Sequence, residues 1–217
     1  MSTVTVKQLP HVDRTQANQI YLIYMHSFPA AERIEFSKLL ESTNRGERLT
    51  YAIQDARGIR GFAVLRPLSS GGVYLLEYLA VAEHLRAKGL GSMLLRGIVE
   101  DLAQRNGVGI IFEVEPPEDG SPSEKALRMR RMQFYARHGA RVIDMASEYR
   151  MPNLSGQGSL KMILMWLPLN GEVVALSDKD LRRSIVSIYT ASYERSEDDP
   201  VLQSILQGLD PIRSRGH

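Results

Sequence analysis

Two glycines and two basic residues fall together in Arg86-Ala87-Lys88-Gly89-Leu90-Gly91-Ser92, where an apolar run gives way to an amphipathic one. Such a junction can hold an anion. Glycines let the backbone approach a phosphate closely, the first N–H groups of a following helix point at it, and the helix dipole favours negative charge there. Arg86 and Lys88 add positive charge. Two common phosphate loops do not fit. A longer glycine span ending in Gly-Lys-Ser/Thr is missing, and the dinucleotide fingerprint would need a small residue where Leu94 stands. Other chemistry is excluded by residue type. The chain has no cysteine, hence no disulfide framework, thiolate nucleophile, zinc finger or cysteine-ligated iron–sulfur cluster. His11, His26 and His84 are scattered without the spacing of metal ligands, so no metal is expected. His138 is accounted for by its place at a helix C-terminus, and there is no Gly-x-Ser-x-Gly elbow. Glu77 interrupts the apolar run Val73 to Val81, where a carboxylate is costly unless it is used, paired or on a solvated face. Glu113 and Glu115 are two residues apart and would share one face of a strand.

These residues need elements to position them. Val4 to Leu9 alternates and reads as a strand. Residues 15–26 carry apolar side chains at helical spacing, and Pro29 suits the first turn of a second helix running to about Leu40. Leu49 to Gln54 and Arg60 to Leu65 form a hairpin around Asp55-Ala56-Arg57-Gly58. Val73 to Val81 is apolar enough for a central strand. The glycine loop then opens a helix that stops at Asn106-Gly107. Val108 to Val114 is a further buried strand, and Ser121-Pro122-Ser123-Glu124 is a capping box opening a helix that ends at Gly139. Residues 141–145 and 160–167 read as two final strands. Ser177 caps a helix through about Tyr193, and Asp199-Pro200 begins a shorter one. The order implies a mixed sheet with helices on both faces, an α/β or α+β fold, completed over residues 1–168. Residues 169–217 form a helical extension. Its stripe of Leu181, Ile185, Ile188 and Tyr189 must be buried, on the core as a lid over the cleft or on a second subunit, and the commonness of symmetric pairing favours a homodimer.

Composition narrows the partners. The chain has 217 residues, 43% of them hydrophobic and 24% charged, as for one globular core with a small addition. A net charge of +2 argues against bulk binding to nucleic acid or anionic lipid. The arginines Arg128, Arg130, Arg131 and Arg137 therefore read as a solvated helix face, with one free to reach a phosphate. No apolar run spans a membrane and no signal peptide is seen, so a cytoplasmic protein is expected.

Leu79-Ala80-Val81 followed by Arg86-x-x-Gly89-x-Gly91 resembles the acyl-CoA-binding motif of the GCN5-related N-acetyltransferases, the GNAT superfamily. Ile111-Phe112-Glu113-Val114 resembles that family's next strand, and Phe134-Tyr135-Ala136-Arg137-His138-Gly139 its Tyr-x-x-x-Gly helix end. Ser27-Phe28-Pro29, with Glu32-Arg33, resembles a substrate-side helix, which makes Phe28 a candidate acceptor contact. The family's asparagine after this strand is replaced by Pro116 to Gly120. The resemblance implies a GNAT-like fold and acetyl-CoA as co-substrate. Backbone groups of Leu79 and Val81, with Ala80 between them, would hold the pantetheine arm, and the pyrophosphate would sit on Arg86, Ala87, Lys88, Gly89, Leu90, Gly91 and Ser92. A primary amine, small molecule or peptide, would attack the thioester directly. Tyr135 would be the acid toward the thiolate and Glu77 the first candidate base. Glu113 and Glu115 would be base or amine anchor, Glu115 otherwise an exposed strand end. A non-catalytic acyl-CoA-binding module and transfer of a longer acyl chain are the alternatives.

Overall fold

The alternating and β-branched runs pair into a single mixed sheet. In the computed structural model, which describes residues 3–169 and 175–209, the strands are β1 (Thr5–Leu9), β2 (Leu49–Asp55), β3 (Gly58–Pro67), β4 (Val73–Val81), β5 (Gly109–Val114), β6 (Arg141–Val142), β7 (Tyr149–Pro152) and β8 (Ser159–Pro168). Their spatial order is β1-β2-β3-β4-β5-β8-β6, with β7 paired to β8. Every pairing is antiparallel except β4 with β5.

Helices α3 (Leu90–Gln104) and α4 (Pro122–Arg137) cover one face, where Leu94, Leu95, Ile98, Leu102 and Tyr135 pack with Tyr51, Leu65 and Phe112. On the other face α1 (Arg14–Ser27) and α2 (Phe36–Asn44) cover the half made by β2, β3 and β4. The remaining half, made by β5, β7 and β8, is covered by α5 (Asp178–Ser187), its π-helical continuation Ile188–Ser192 and α6 (Pro200–Leu209). The extension's stripe is thus buried within the chain. Leu181, Ile185, Ile188 and Tyr189 lie in one cluster with Ile111, Leu164 and Trp166. The stripe that suggested a dimer contact is covered by the chain's own sheet, so the homodimer loses the premise on which it rested.

The parallel pairing that shapes the site is short. Val73–Leu76 run beside Gly109–Phe112, and there the two strands part. A β-bulge marks the departure: Leu65 faces Leu76 while Val64 faces Tyr78, leaving Glu77 as the extra residue of β4. A bulge bends its strand and increases the local twist. Beyond it, β4 pairs only with β3 and β5 only with β8.

The second helix differs from its expected span. Pro29 leads into a single 3-10 turn, Ala30–Glu32, and α2 starts at Phe36. Tertiary hydrogen bonds hold the intervening backbone extended: the Ile34 N–H donates to the Tyr78 hydroxyl at 3.1 Å, and the Ile34 carbonyl accepts from the Tyr24 hydroxyl at 2.9 Å. The expected strand 141–145 shrinks to two residues, and β7 appears where none was expected. No described helix is long and apolar enough to cross a membrane.

Candidate active site

A cavity of about 510 Å³ opens where β4 and β5 separate, and it passes from one face of the sheet to the other. On the side of α3 and α4 its walls are β4, the loop before α3 and the end of α4. On the opposite side they include Phe28, Ile34, Glu113, Met151, Met162 and Tyr193.

The β4 edge carries free backbone groups. The Ala82 N–H reaches back to the Arg60 carbonyl of β3 at 2.9 Å. Strand groups alternate sides, so the N–H and C=O of Leu79 and Val81 point into the gap left by β5. The Val81 carbonyl accepts from Arg86 Nε at 3.3 Å, and the same guanidinium donates to Ser27 Oγ at 3.1 Å.

The loop that follows makes a cradle. Ala87 and Gly89 both lie in the left-handed region, at φ +61° and +79°. Gly89 is the N-cap of α3 and no side chain caps the helix. The N–H groups of Leu90, Gly91 and Ser92 have no acceptor among the described residues; the first to find one is Met93, which donates to the Gly89 carbonyl at 3.0 Å. A Cβ at Gly89 would meet nothing within 4 Å, and at Gly91 nothing nearer than Phe134 at 3.7 Å. Three unpaired donors at a helix N-terminus, with open space before them, fit a phosphate group. Arg86 and Arg137 line the same cavity. Residues 116–120, which replace the expected asparagine, do not line it.

The carboxylates separate into distinct environments. Glu77 is buried in a two-pronged ion pair with Arg48: Nε to Oε2 is 2.6 Å and Nη2 to Oε1 is 3.1 Å. Arg48 is also tied to Ser42 Oγ at 2.7 Å. Both Glu77 oxygens are therefore engaged by a cation, the paired outcome open to a carboxylate in an apolar strand. Glu115 lies just past the end of β5. It is held by Arg128 at 3.2 Å and by Arg131, fastening α4 to the strand end. Those two arginines are hence not a free solvated face.

Glu113 has no ion pair among the described residues. Its Oε1 accepts the Tyr149 hydroxyl at 2.6 Å and its Oε2 accepts the Tyr193 hydroxyl. Burial pushes its proton affinity up to about 7, against the lowering effect of the two phenols. Glu32 also lines the cavity and is pushed to about 7, by burial first and by the charge of Glu115 next. Tyr135 stacks on Phe112 with ring centroids 4.3 Å apart. Its hydroxyl makes no hydrogen bond among the described residues, and burial pushes its pKa up to about 12. Phe28 packs against Tyr78 at 4.9 Å on the other side of the gap.

The cavity thus brings together Phe28, Glu77, Leu79, Ala80, Val81, Arg86, Ala87, Gly89, Leu90, Gly91, Ser92, Glu113 and Tyr135 from the sequence reading, and it leaves out Lys88 and Glu115. Glu32, Tyr149 and Tyr193 were not foreseen. Glu32 stood in a motif already singled out, but Tyr149 lies in an unexpected strand and Tyr193 lies beyond the common core.

Residues 17–140, more than half of the chain, match the family model described as the acetyltransferase (GNAT) family. The chain belongs to the GNAT acetyltransferases. No curated protein matches it. Among solved structures, a protein assigned to the GNAT acetyltransferases from Bacteroides thetaiotaomicron is 26% identical with a TM-score of 0.69, over 88% of this chain and 99% of that one. An aminoglycoside 6'-N-acetyltransferase complexed with coenzyme A shares the fold at 17% identity and TM-score 0.61, over 78% of this chain and 99% of that one. So does Arabidopsis thaliana NAA60 in complex with acetyl-CoA, at 16% identity and TM-score 0.59, over 78% of this chain and 100% of that one. At the level of its family, this GNAT acetyltransferase is an acetyl-CoA-dependent N-acetyltransferase. Among its described residues no group of three His, Asp or Glu could hold a metal ion.

Proposed function

We propose that this GNAT acetyltransferase acetylates the primary amine of a small molecule by direct attack within the cleft. The observation that carries the reading is a single cavity lined by a free backbone edge and phosphate cradle, an unbonded phenol and an unpaired buried carboxylate. Acetyl-CoA supplies a thioester already activated for acyl transfer. Leu79 holds the pantetheine arm by its free N–H and C=O, and the N–H groups of Leu90 to Ser92 take the pyrophosphate. Arg86 and Arg137 add charge beside it.

An alkylamine has a pKa near 10.4 and is almost wholly protonated at neutral pH. Glu113 accepts the proton the ammonium must lose before nitrogen can bond to the carbonyl carbon. It suits this role better than Glu77, whose two oxygens are committed to Arg48. A base with a pKa near the working pH combines availability with basicity. As the C–S bond breaks, Tyr135 gives its phenolic proton to the sulfur; the bonded nitrogen loses its second proton to solvent, solvent returns a proton to the phenol, and Glu113 releases its own. The balance is amine plus thioester to amide plus thiol. A phenol near 12 is a weak acid for an ordinary thiolate, but the desolvation that raises Tyr135 also raises the basicity of a thiolate beside it. The Val81 N–H is the donor proposed for the developing oxyanion.

Tyr135→Phe and Glu113→Gln test these roles separately. Each should lower kcat by ~10²-fold or more, as acid–base catalysis typically contributes, with the acetyl-CoA Kd unchanged by calorimetry. Wild-type kcat in either variant removes that residue from the mechanism.

A further inference from the structure

We propose that the C-terminal segment ending α5 completes the acceptor half of the cleft through Tyr193, and that this half selects a compact amine carried on an apolar body. The inference rests on the acetyltransferase reading of the cavity and deepens it. The helices α5 and α6 lie beyond residues 17–140, so this wall stands outside the segment that the family model matches.

Tyr193 follows the π-helical turn Ile188–Ser192, which is anchored through Ile188 and Tyr189 in the core beneath β7 and β8. The Tyr189 hydroxyl donates to the Arg150 carbonyl of β7, and its ring meets Tyr193 edge-on with centroids 5.7 Å apart. Tyr193 is thereby aimed at Glu113, 80 residues earlier, and its hydroxyl occupies one carboxylate oxygen while Tyr149 occupies the other. Two phenols use two of about four acceptor positions on a carboxylate, so capacity remains for an ammonium.

The surroundings of that carboxylate are apolar. Leu164 is its cross-strand neighbour in β8. Tyr149 pairs with Met162, and Met151 pairs with Leu160. Met151, Met162 and Tyr193 line the cavity on this side, facing Phe28 and Ile34 across it. Glu113, a buried carboxylate with no ion pair among the described residues and walled by methionine and aromatic side chains, recognises a positive nitrogen on a hydrophobic body. Apart from Glu32, which lines the same cavity, this half offers few partners to several hydroxyls or to a peptide backbone, whose desolvation would go uncompensated. The titratable and charged groups facing Glu113 are the phenols Tyr149 from β7 and Tyr193 from the C-terminal segment, the paired Glu77 from β4 and Glu32 from the 3-10 turn, with Arg131 of α4 lining the same cavity.

The test is a kcat/KM panel with acetyl-CoA, using phenethylamine and hexylamine against an aminoglycoside and a peptide with a free N-terminus. The apolar amines should lead by tenfold or more. Tyr193→Phe keeps the ring and removes the hydroxyl. It should raise KM for the best amine about tenfold and move the acidic limb of the kcat/KM profile to higher pH. Its acetyl-CoA Kd and circular dichroism should stay at wild-type values. Tyr149→Phe, acting on the other oxygen, should move the limb in the same direction. A panel led by aminoglycoside or peptide overturns the inference while leaving the acetyltransferase reading intact. So does a Tyr193→Phe enzyme with unmoved KM and unmoved limb. Absence of thiol release with every amine would instead be a failure of the acetyltransferase reading itself.

Discussion

Replacing one partner of the Arg48–Glu77 pair should cost far more than a surface charge change. The two side chains are only 5% and 7% exposed, and both carboxylate oxygens are engaged. Removing one member of such a pair strands an uncompensated buried charge, at about 3–5 kcal/mol. In a domain of 150–250 residues each kcal/mol lowers Tm by roughly 2–4 °C, so Arg48→Met or Glu77→Gln should lower Tm by about 6–20 °C. The double variant Arg48→Met/Glu77→Leu should recover most of that loss, because an apolar pair of similar volume avoids the desolvation penalty of both ions. Thermal denaturation by circular dichroism reads the three values. The acidic limb of the kcat/KM profile of Glu77→Gln, measured below its lowered Tm, should remain and move to lower pH, because the Glu77 charge is one of the groups that raise Glu113. A Glu77→Gln enzyme with wild-type Tm and no acidic limb would refute the reasoning, since Glu77 would then be the base and not the bulge's anchor.

Three further outcomes follow from the same geometry. Gly91→Ala should hold or raise Tm, because the added Cβ meets nothing nearer than 3.7 Å and alanine favours helix, yet weaken acetyl-CoA binding by calorimetry; undiminished affinity would remove the cradle. Glu113 has a proton affinity near 7 folded against about 4.5 in its ordinary state, so the folded protein binds more protons between these values and stability falls as pH rises from about 4.5 to about 7. Glu113→Gln should flatten that slope in urea denaturation and stabilise more at pH 8 than at pH 4.5, whereas an unaltered slope would contradict the burial account. A chain ending at Leu169 should aggregate, as it uncovers Ile111, Leu164 and Trp166; a soluble truncated protein with native Tm would show that the extension contributes nothing to the core.

How much of the site was legible in the sequence depended on sequence distance. The cradle is local: its glycines, its charges and the start of α3 lie within seven residues, so type and spacing were enough. Tyr135 was legible by its place four residues before Gly139. The partner of Glu77 was not, because Arg48 lies 29 residues away and only the antiparallel pairing of β2 with β3 and β3 with β4 brings it near. The partners of Glu115 were not legible either, because it falls just past the end of β5 and the arginines that hold it lie 13 and 16 residues on, in α4. Strand β7 was missed because four residues containing Arg150 and Pro152 carry little alternation of their own; pairing with β8 makes them a strand. The extension's stripe was read correctly as needing cover, but a stripe cannot say whose surface covers it.

Thiol release from acetyl-CoA across the amine panel tests the central claim most directly. Free thiol and N-acetylated amine should form stoichiometrically with at least one compact primary amine, with only background release without it. Acetyl-CoA bound at the cradle, with no amine-dependent thiol release across the panel, would contradict that claim and leave an acyl-CoA-binding module in its place.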